Sequence, residues 1–92
     1  MDVHVIVKLK SSYQDWHNLF LKDADNRSNI CDESRTLVGQ VNESTAVITL
    51  FEVNKAAMEG MMTDPEFKRM TADYVDEHIV YSLTPLLSLI HI

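Results

Sequence analysis

The stretch "VHVIVKLKSSYQDWHNLF", residues 3–20, decides the fold because its hydrophobic period changes along its length. In the first half, Val3, Val5, Val7 and Leu9 recur at every second position. β-Branched residues at that period predict a strand with one thoroughly apolar face. The segment "KSS" then interrupts the pattern, and the residues that follow recur at a helical period. The stretch therefore predicts a β-strand that leads directly into an α-helix.

The predicted helix spans residues 12–28 and has a cap at its start. Ser11 or Ser12 can accept the first free backbone N–H groups, and Asp15 stands three residues after Ser12, close to a capping box. Polar residues favouring turns, "NRSNICDES", end the helix. One face of this helix is apolar and is formed by Tyr13, Trp16, Phe20 and Ala24.

The remaining elements complete a recognisable order. Residues 34–41 and 45–53 read as two strands joined by "NES", which predicts a β-hairpin. Residues 54–62 and 63–75 read as two helical pieces, and residues 78–86 as a final strand. Strand, helix, strand, strand, helix, strand is the split βαβ arrangement called ferredoxin-like. The predicted fold class is therefore α+β, with a four-stranded antiparallel sheet and both helices on one face.

The sheet face that turns away from the helices is also expected to carry apolar residues, among them Ile6 and Val80. An uncovered apolar face predicts an interface.

The chain of 92 residues is expected to form a single domain, 1–92, with a core at 2–85 and an apolar tail at 86–92. Small domains gain stability by association, so we expect a homodimer that can also assemble further. The tail "LLSLIHI" is expected to cover the partner's sheet edge; a docking strand for another protein is the alternative.

Charge and cysteine content exclude several classes of protein. A formal net charge of −6 and the absence of a basic stripe argue against nucleic-acid binding. Cys31 is the single cysteine, which excludes an internal disulfide and fits a reducing compartment. The N-terminus resembles a strand more than a signal peptide, and no apolar run is long enough to span a membrane. A cytoplasmic protein is the expectation.

Three segments carry a resemblance to a known family. "YQDWHNLF" (13–20) is similar to the aromatic-x-x-Trp-x-x-x-Phe pattern of its first helix, "AVITLFEV" (46–53) resembles its third strand, and "AAMEGMMTDPEF" (56–67) its second helical segment. This resemblance, covering residues 2–85, is to the dimeric α+β barrel superfamily, which includes the antibiotic-biosynthesis-monooxygenase-like proteins. It implies a homodimer in which two sheets face each other across a barrel, and a pocket between each sheet and its helices. Cofactor-free oxygenases and isomerases belong to this superfamily.

One departure from the family pattern concerns proton transfer. Many monooxygenase-like relatives place a histidine in the helical segment where this chain has Met61. A thioether cannot move a proton, so the chemistry associated with that position does not carry over.

His17 is the candidate catalytic residue. It lies at the margin of the apolar helix face, and a histidine there can act as general base on a phenolic or enolic substrate. A boundary residue hydrogen-bonded to backbone or water is the alternative. No His-x-x-x-His, Cys-x-x-Cys, glycine-rich phosphate loop or nucleophile elbow occurs. We therefore expect neither a metal nor a cofactor.

Four aromatic residues form a candidate ligand-binding set, provided that Tyr81 points toward the helices. Aromatic walls with a few hydroxyl groups suit a planar ligand; simple core packing would show the same spacing. His4, Lys8 and His78 are expected on the opposite sheet face, as polar contacts of a dimer interface. The candidate ligand-binding residues are Tyr13, Trp16, Tyr74 and Tyr81.

Three functions remain open at this level. The first is a small-ligand-binding protein with a pocket between sheet and helices. The second is a cofactor-independent monooxygenase or isomerase acting on an aromatic or enolisable compound. The third is a structural or protein-interaction module without a ligand.

Deleting residues 86–92 is expected to weaken the homodimer, because the tail would remove apolar surface from water at the partner's sheet edge. Sedimentation analysis of the truncated and full-length chains measures the effect. A truncated protein that still sediments as a tight dimer would contradict this role of the tail.

Overall fold

A computed structural model describes residues 1–84, so the tail at 86–92 lies outside the described residues. The strands are β1 (Asp2–Leu9), β2 (Leu37–Asn42), β3 (Thr45–Leu50) and β4 (Val75–Leu83). The helices are α1 (Tyr13–Lys22), α2 (Ala24–Ser28), α3 (Lys55–Thr63) and α4 (Pro65–Thr71), with a short 3₁₀ turn at Glu33–Arg35. This order confirms the predicted ferredoxin-like α+β fold.

The four strands form one antiparallel sheet in the order β2-β3-β1-β4. β1 is central because it pairs with β3 on one side and with β4 on the other. Its alternating side chains behave as the sequence predicts: Val3 and Val7 are fully buried, and Val5 and Leu9 nearly so. This inner face packs against the helices and forms the floor of the core.

Residue Asp23 divides the first predicted helix into two pieces. α1 begins after Ser12, whose Oγ accepts a hydrogen bond from the Asp15 N–H at 3.1 Å, and ends at Lys22. Asp23 leaves helical geometry with φ −93° and ψ 9°. Its carboxylate accepts a hydrogen bond from Asn26 at 2.6 Å, which gives the chain a local alternative to a continuous helix. The single helix expected over residues 12–28 was therefore wrong in this respect.

The third strand is shorter than expected because the chain reverses direction after Leu50. Glu52 has a φ of 53°, in the left-handed region that non-glycine residues rarely occupy. Its N–H donates to the Asp2 carboxylate at 3.1 Å, and the Val53 N–H donates to the Met1 carbonyl at 2.7 Å. These two bonds hold the reversal beside the start of β1. The second helical segment then begins at Lys55.

Asp64 and Pro65 separate α3 from α4, as the sequence predicts. The Asp64 carboxylate accepts a hydrogen bond from the Glu66 N–H at 3.0 Å, and Pro65 occupies the first position of α4. Proline suits this position because its missing N–H would have no helical partner. The second half of the helical layer is therefore two short helices with a fixed junction.

The facing of β4 differs from the expectation. Val7 pairs with His78 and Val5 with Val80, so His78 and Val80 share the helix-facing side with the valines. Tyr81 pairs with His4 and lies on the other face. The phase of β4 with Ile79, Tyr81 and Leu83 is the more apolar one, yet it lies on the outer face, and a shift of one residue exchanges the two faces of a strand. The expectation that His78 and Val80 lie on the outer face was wrong for this reason.

The outer sheet face carries a row of half-buried apolar residues. Val47, Ile6 and Ile79 are aligned across three neighbouring strands by the register of the sheet. Ile6 was expected on this face, and its placement there is confirmed. Lys8 lies opposite Glu77 on the same face, and its expected neighbour His78 lies on the inner one.

Replacing Trp16 with Ala is expected to lower the free energy of unfolding by about 3–5 kcal/mol, as the loss of a large buried aromatic does. Trp16 is 3% exposed and its ring centroid lies 5.2 Å from that of Phe20. Urea denaturation measures the change. Leu21→Ala is the matched control, since Leu21 is 55% exposed on the same helix and should change stability little. Equal stability of the Trp16→Ala variant and the wild type would contradict this assignment to the core.

Candidate functional site

A cavity of about 70 Å³ lies between the sheet and the helices. Its floor is formed by Val5 of β1 and by Ile48 and Leu50 of β3. Trp16 and Phe20 of α1 form one wall. The opposite wall comes from α3 and α4 and consists of Met58, Met61, Met62, Phe67 and Met70. The cavity is thus the junction at which two differently composed halves of the helical layer meet.

Four polar side chains reach this otherwise apolar cavity: Asp23, Arg27, Thr71 and His78. Thr71 is satisfied within its own helix, because its hydroxyl donates to the Phe67 carbonyl at 3.0 Å. One carboxylate oxygen of Asp23 accepts a hydrogen bond from Asn26. The cavity therefore presents a carboxylate, a guanidinium and an imidazole to a ligand. A few polar groups in an apolar cavity are the usual composition of a small-molecule site.

His78 enters the cavity from the edge strand β4 because its register with Val7 sets it on the inner face. Its ring lies 5.7 Å from that of Phe67 in a tilted arrangement. Burial lowers the pKa of His78 below its ordinary value of 6.5, since the charged imidazolium loses hydration there. Within residues 1–84, no group of the protein forms a hydrogen bond to the His78 ring nitrogens, which keep contact with solvent. His78 is therefore a neutral base without a partner in the described part of the chain.

Arg27 is a buried cation held on three sides. Its Nε donates to both carboxylate oxygens of Glu33 at 2.9 Å, and its Nη1 donates to the Phe20 carbonyl at 2.6 Å. The guanidinium carbon lies 3.5 Å from the centroid of the Phe20 ring, a cation–π contact. No residue of the described chain accepts a hydrogen bond from Nη2, which keeps contact with solvent. The guanidinium is thus fixed in place by Glu33 and Phe20.

The structure brings three of the predicted site residues together on α1. The ring centroids of Tyr13 and Trp16 are 5.7 Å apart, and those of Tyr13 and His17 are 5.4 Å apart in a stacked arrangement. Only Trp16 lines the cavity; Tyr13 faces a surface recess, and His17 stacks between Tyr13 and Phe20 at the margin of the helix. His17 therefore lies at the margin of the helix near the cavity but does not line it.

The other two predicted ligand-binding residues lie apart from the cavity lining. Tyr74 packs against the core, and its carbonyl accepts hydrogen bonds from Lys10 and Ser11, which ties the approach to β4 to the end of β1. Tyr81 is 50% exposed on the outer sheet face beside His4. The condition that Tyr81 points toward the helices is not met, so the four aromatic residues do not surround one cavity.

Sequence reasoning missed Arg27 and passed over His78 as an outer-face residue. Arg27 stands in a polar segment with the composition of a turn, where nothing local indicates a buried guanidinium. Its partner Glu33 follows six residues later, a spacing that no helical or strand pattern singles out. For His78 the only signal was the alternation of β4, and apolar residues occupy both phases of it.

Two other features carry no site. Cys31 is half-buried with its Sγ 3.4 Å from the Arg27 carbonyl, and burial raises its pKa above the ordinary 9.0, so the thiol stays protonated and is a poor nucleophile. Among residues 1–84, no cluster of three or more His, Cys, Asp or Glu side chains could hold a metal ion. No helix in that part of the chain has the length and apolar character needed to cross a membrane.

These features define the chain as a ferredoxin-like α+β protein with a small cavity under its helices. No protein-family model matches the sequence, and no curated protein matches it either. Among solved structures, it is similar to SnoaB, a cofactor-independent oxygenase from Streptomyces nogalater. The two share 12% sequence identity with a TM-score of 0.59, over 94% of this chain and 96% of that one. A point variant of SnoaB matches at 13% identity with the same TM-score.

At this level of identity the similarity establishes the fold. It confirms the predicted α+β fold of one protomer. The assembly of two protomers and the chemistry are separate questions, because one fold supports many activities.

Lowering the pH is expected to destabilise the wild type more than a His78→Gln variant. Because the pKa of His78 is lower in the folded state, the unfolded state takes up its proton first as the pH falls below 6.5. The stabilisation is complete above 6.5 and is lost between 6.5 and the folded-state pKa. Urea denaturation at neutral and mildly acidic pH measures the difference. Parallel losses in both proteins, or an NMR titration midpoint of His78 at or above 6.5, would contradict it.

Proposed function

We propose that this protein is a cofactor-independent oxygenase that acts on an aromatic or enolisable small molecule bound between sheet and helices. The observation that supports it most is His78, a histidine that lines an apolar cavity and that burial keeps neutral. The fold shared with a cofactor-independent oxygenase supports the same reaction class. Each chemical step below is assigned to residues of this chain.

The first step is removal of a proton from the substrate by His78. Neutral imidazole is the form that accepts a proton, and burial keeps His78 in that form near neutral pH. General bases of this kind usually accelerate a reaction by roughly 10²–10⁴-fold. The substrate leaves this step as an enolate or phenolate and His78 as an imidazolium.

The second step depends on Arg27. An enolate or phenolate oxygen carries negative charge, and the guanidinium of Arg27, which lines the cavity, is a cation that can stabilise it. Glu33 and the Phe20 ring already hold the guanidinium, so no reorganisation is needed when the charge forms. Arg27 thereby stabilises the product of the first step within a medium of low polarity.

The third step requires dioxygen as the co-substrate and no other electron source. The enolate donates one electron to dioxygen, and the resulting radical pair combines to form a carbon–oxygen bond. The peroxide takes the proton from the His78 imidazolium, which returns His78 to its neutral form. The hydrogen left on the oxygenated carbon is then lost as a proton while the O–O bond breaks, and it leaves with the released hydroxide as water. The substrate thus loses two hydrogens and gains one oxygen atom as a carbonyl, and the other oxygen atom of dioxygen becomes water.

The size of the cavity limits the substrate. An apolar cavity of about 150 Å³ is known to accept benzene, and the cavity here is about 70 Å³. A single aromatic ring can therefore enter only if side chains of the α3–α4 wall move. Met61, Met62 and Met70 are half-buried and flexible, and methionine adapts its shape more readily than branched residues. The substrate is accordingly a small ring compound.

A binding protein without chemistry is the second candidate, and the adaptable methionine wall favours it equally. Proton transfer without oxygen would instead make the protein an isomerase. Trp16 contacts the ligand in each case, and Tyr13 and His17 extend the same helix face.

We further propose that the protein forms a homodimer through the outer sheet face, which carries the apolar row of Val47, Ile6 and Ile79. The single cysteine, Cys31, suggests a reducing cytoplasmic setting.

Oxygen consumption with orcinol, a neutral electron-rich phenol, tests the proposal. The wild type is expected to consume oxygen without added cofactor, and His78→Gln should lower the rate by roughly 100-fold or more. The His17→Gln variant decides which histidine is the base. If only this variant loses oxygen consumption, the proton transfer belongs to His17 and not to His78. Orcinol that binds without oxygen uptake would leave a binding protein, and orcinol that exchanges ring protons without oxygen uptake would indicate an isomerase.

A further inference from the structure

A second recess, a groove at the surface between α2 and the α3–α4 pair, adjoins the cavity. The two share five lining residues and are therefore separated only by their side chains. Three of the five, Met61, Phe67 and Met70, are half-buried. The shared residues are Asp23, Ile30, Met61, Phe67 and Met70.

The groove carries acidic side chains and no basic one among its lining residues. Asp64 has no ion-pair partner among residues 1–84, whereas Glu66 pairs with Arg69. Asp23, at the junction with the cavity, is bonded only to the neutral Asn26 side chain. An anion that approaches through this groove meets a negative potential, which the net charge of −6 reinforces.

The inner cavity disfavours a cationic ligand. Most of its lining is apolar, so a cation would lose hydration on entering it. A cation would also meet the buried guanidinium of Arg27. The groove repels anions and the cavity disfavours cations, which together favour an uncharged ligand.

We propose that the groove is the outer half of the binding site and that an uncharged, single-ring phenol passes from it into the cavity by displacing Met61, Phe67 and Met70. This inference rests on the proposed function for the identity of the cavity as a substrate site. It adds the charge class of the substrate and the side from which the substrate arrives.

Two matched probes test the charge class. Orcinol and α-resorcylate have the same ring and hydroxyl groups, but α-resorcylate carries a carboxylate in place of the methyl group. Trp16 is the only tryptophan and lines the cavity, so its fluorescence reports a ring that arrives there. Orcinol is expected to change this fluorescence saturably, and α-resorcylate to bind at least roughly tenfold more weakly.

A double variant, Asp64→Asn with Glu66→Gln, tests the role of the groove. Asn keeps the oxygen that caps α4, so the fold is preserved. The variant should strengthen α-resorcylate binding relative to orcinol binding by roughly threefold or more, with an effect that shrinks in high salt. Asp25→Asn with Glu59→Gln is the matched control, because it removes the same charge from α2 and α3 outside the groove lining.

Two methionine variants test the route. Met70 belongs to the wall between cavity and groove, whereas Met58 lines the cavity alone. Met70→Ala should accelerate orcinol association by roughly tenfold in stopped-flow fluorescence, and Met58→Ala should enlarge the cavity without that acceleration. Equal acceleration by both variants would overturn the route.

The outcomes separate this inference from the proposed function. Equal affinity for the two probes, or equal effects of the groove and control double variants, would overturn the charge class while orcinol oxygenation still supports the oxygenase. Failure of orcinol both to change Trp16 fluorescence and to promote oxygen uptake would overturn the proposed function together with this inference.

Discussion

Burial of one face of β1 is the constraint on which the rest of the structure depends. Val3, Val5 and Val7 lie in the central strand, so their side chains cannot be removed from water by the sheet alone. A layer of helices has to cover them, and the hydrophobic gain scales with the apolar area that this layer removes from water. α1 and the α3–α4 pair both cover this inner face of the sheet and meet above it. β1 is central in the strand order because it pairs with a neighbouring strand on each edge.

The two halves of this cover differ in rigidity, which is the physical origin of the cavity. α1 contributes the tightly packed rings of Trp16 and Phe20, while α3 and α4 contribute mainly methionines. Stiff aromatic rings define a shape, whereas thioether side chains adapt to whatever space is left. Where the two halves meet, the packing is incomplete. A cavity of this kind costs stability, and the same incompleteness gives a ring compound room to enter.

The buried Arg27 gives the cavity its electrostatic character. Removing a guanidinium from water is expensive, and only its bonds to Glu33 and Phe20 make the position tolerable. Removal of Glu33 would leave a buried charge unpaired and should be more damaging than loss of the whole pair. His78 lines the same cavity, and burial keeps it neutral. A fixed cation and an uncharged base in one apolar space are well suited to forming an enolate, since one accepts the proton and the other receives the negative charge.

The sequence alone determined the elements and their order, because strand and helix formation depend on local periodicity and capping. The alternation of β1, the Ser12 cap and the Asp64–Pro65 junction all indicate the ferredoxin-like arrangement without knowledge of any distant contact. Only the tertiary structure decided which histidine faces the cavity. The pairing of Val7 with His78 sets the phase of β4 and turns its more apolar phase, with Ile79 and Tyr81, to the outer face. Burial of Arg27 likewise depends on Glu33 and Phe20, contacts that exist only once the chain has folded.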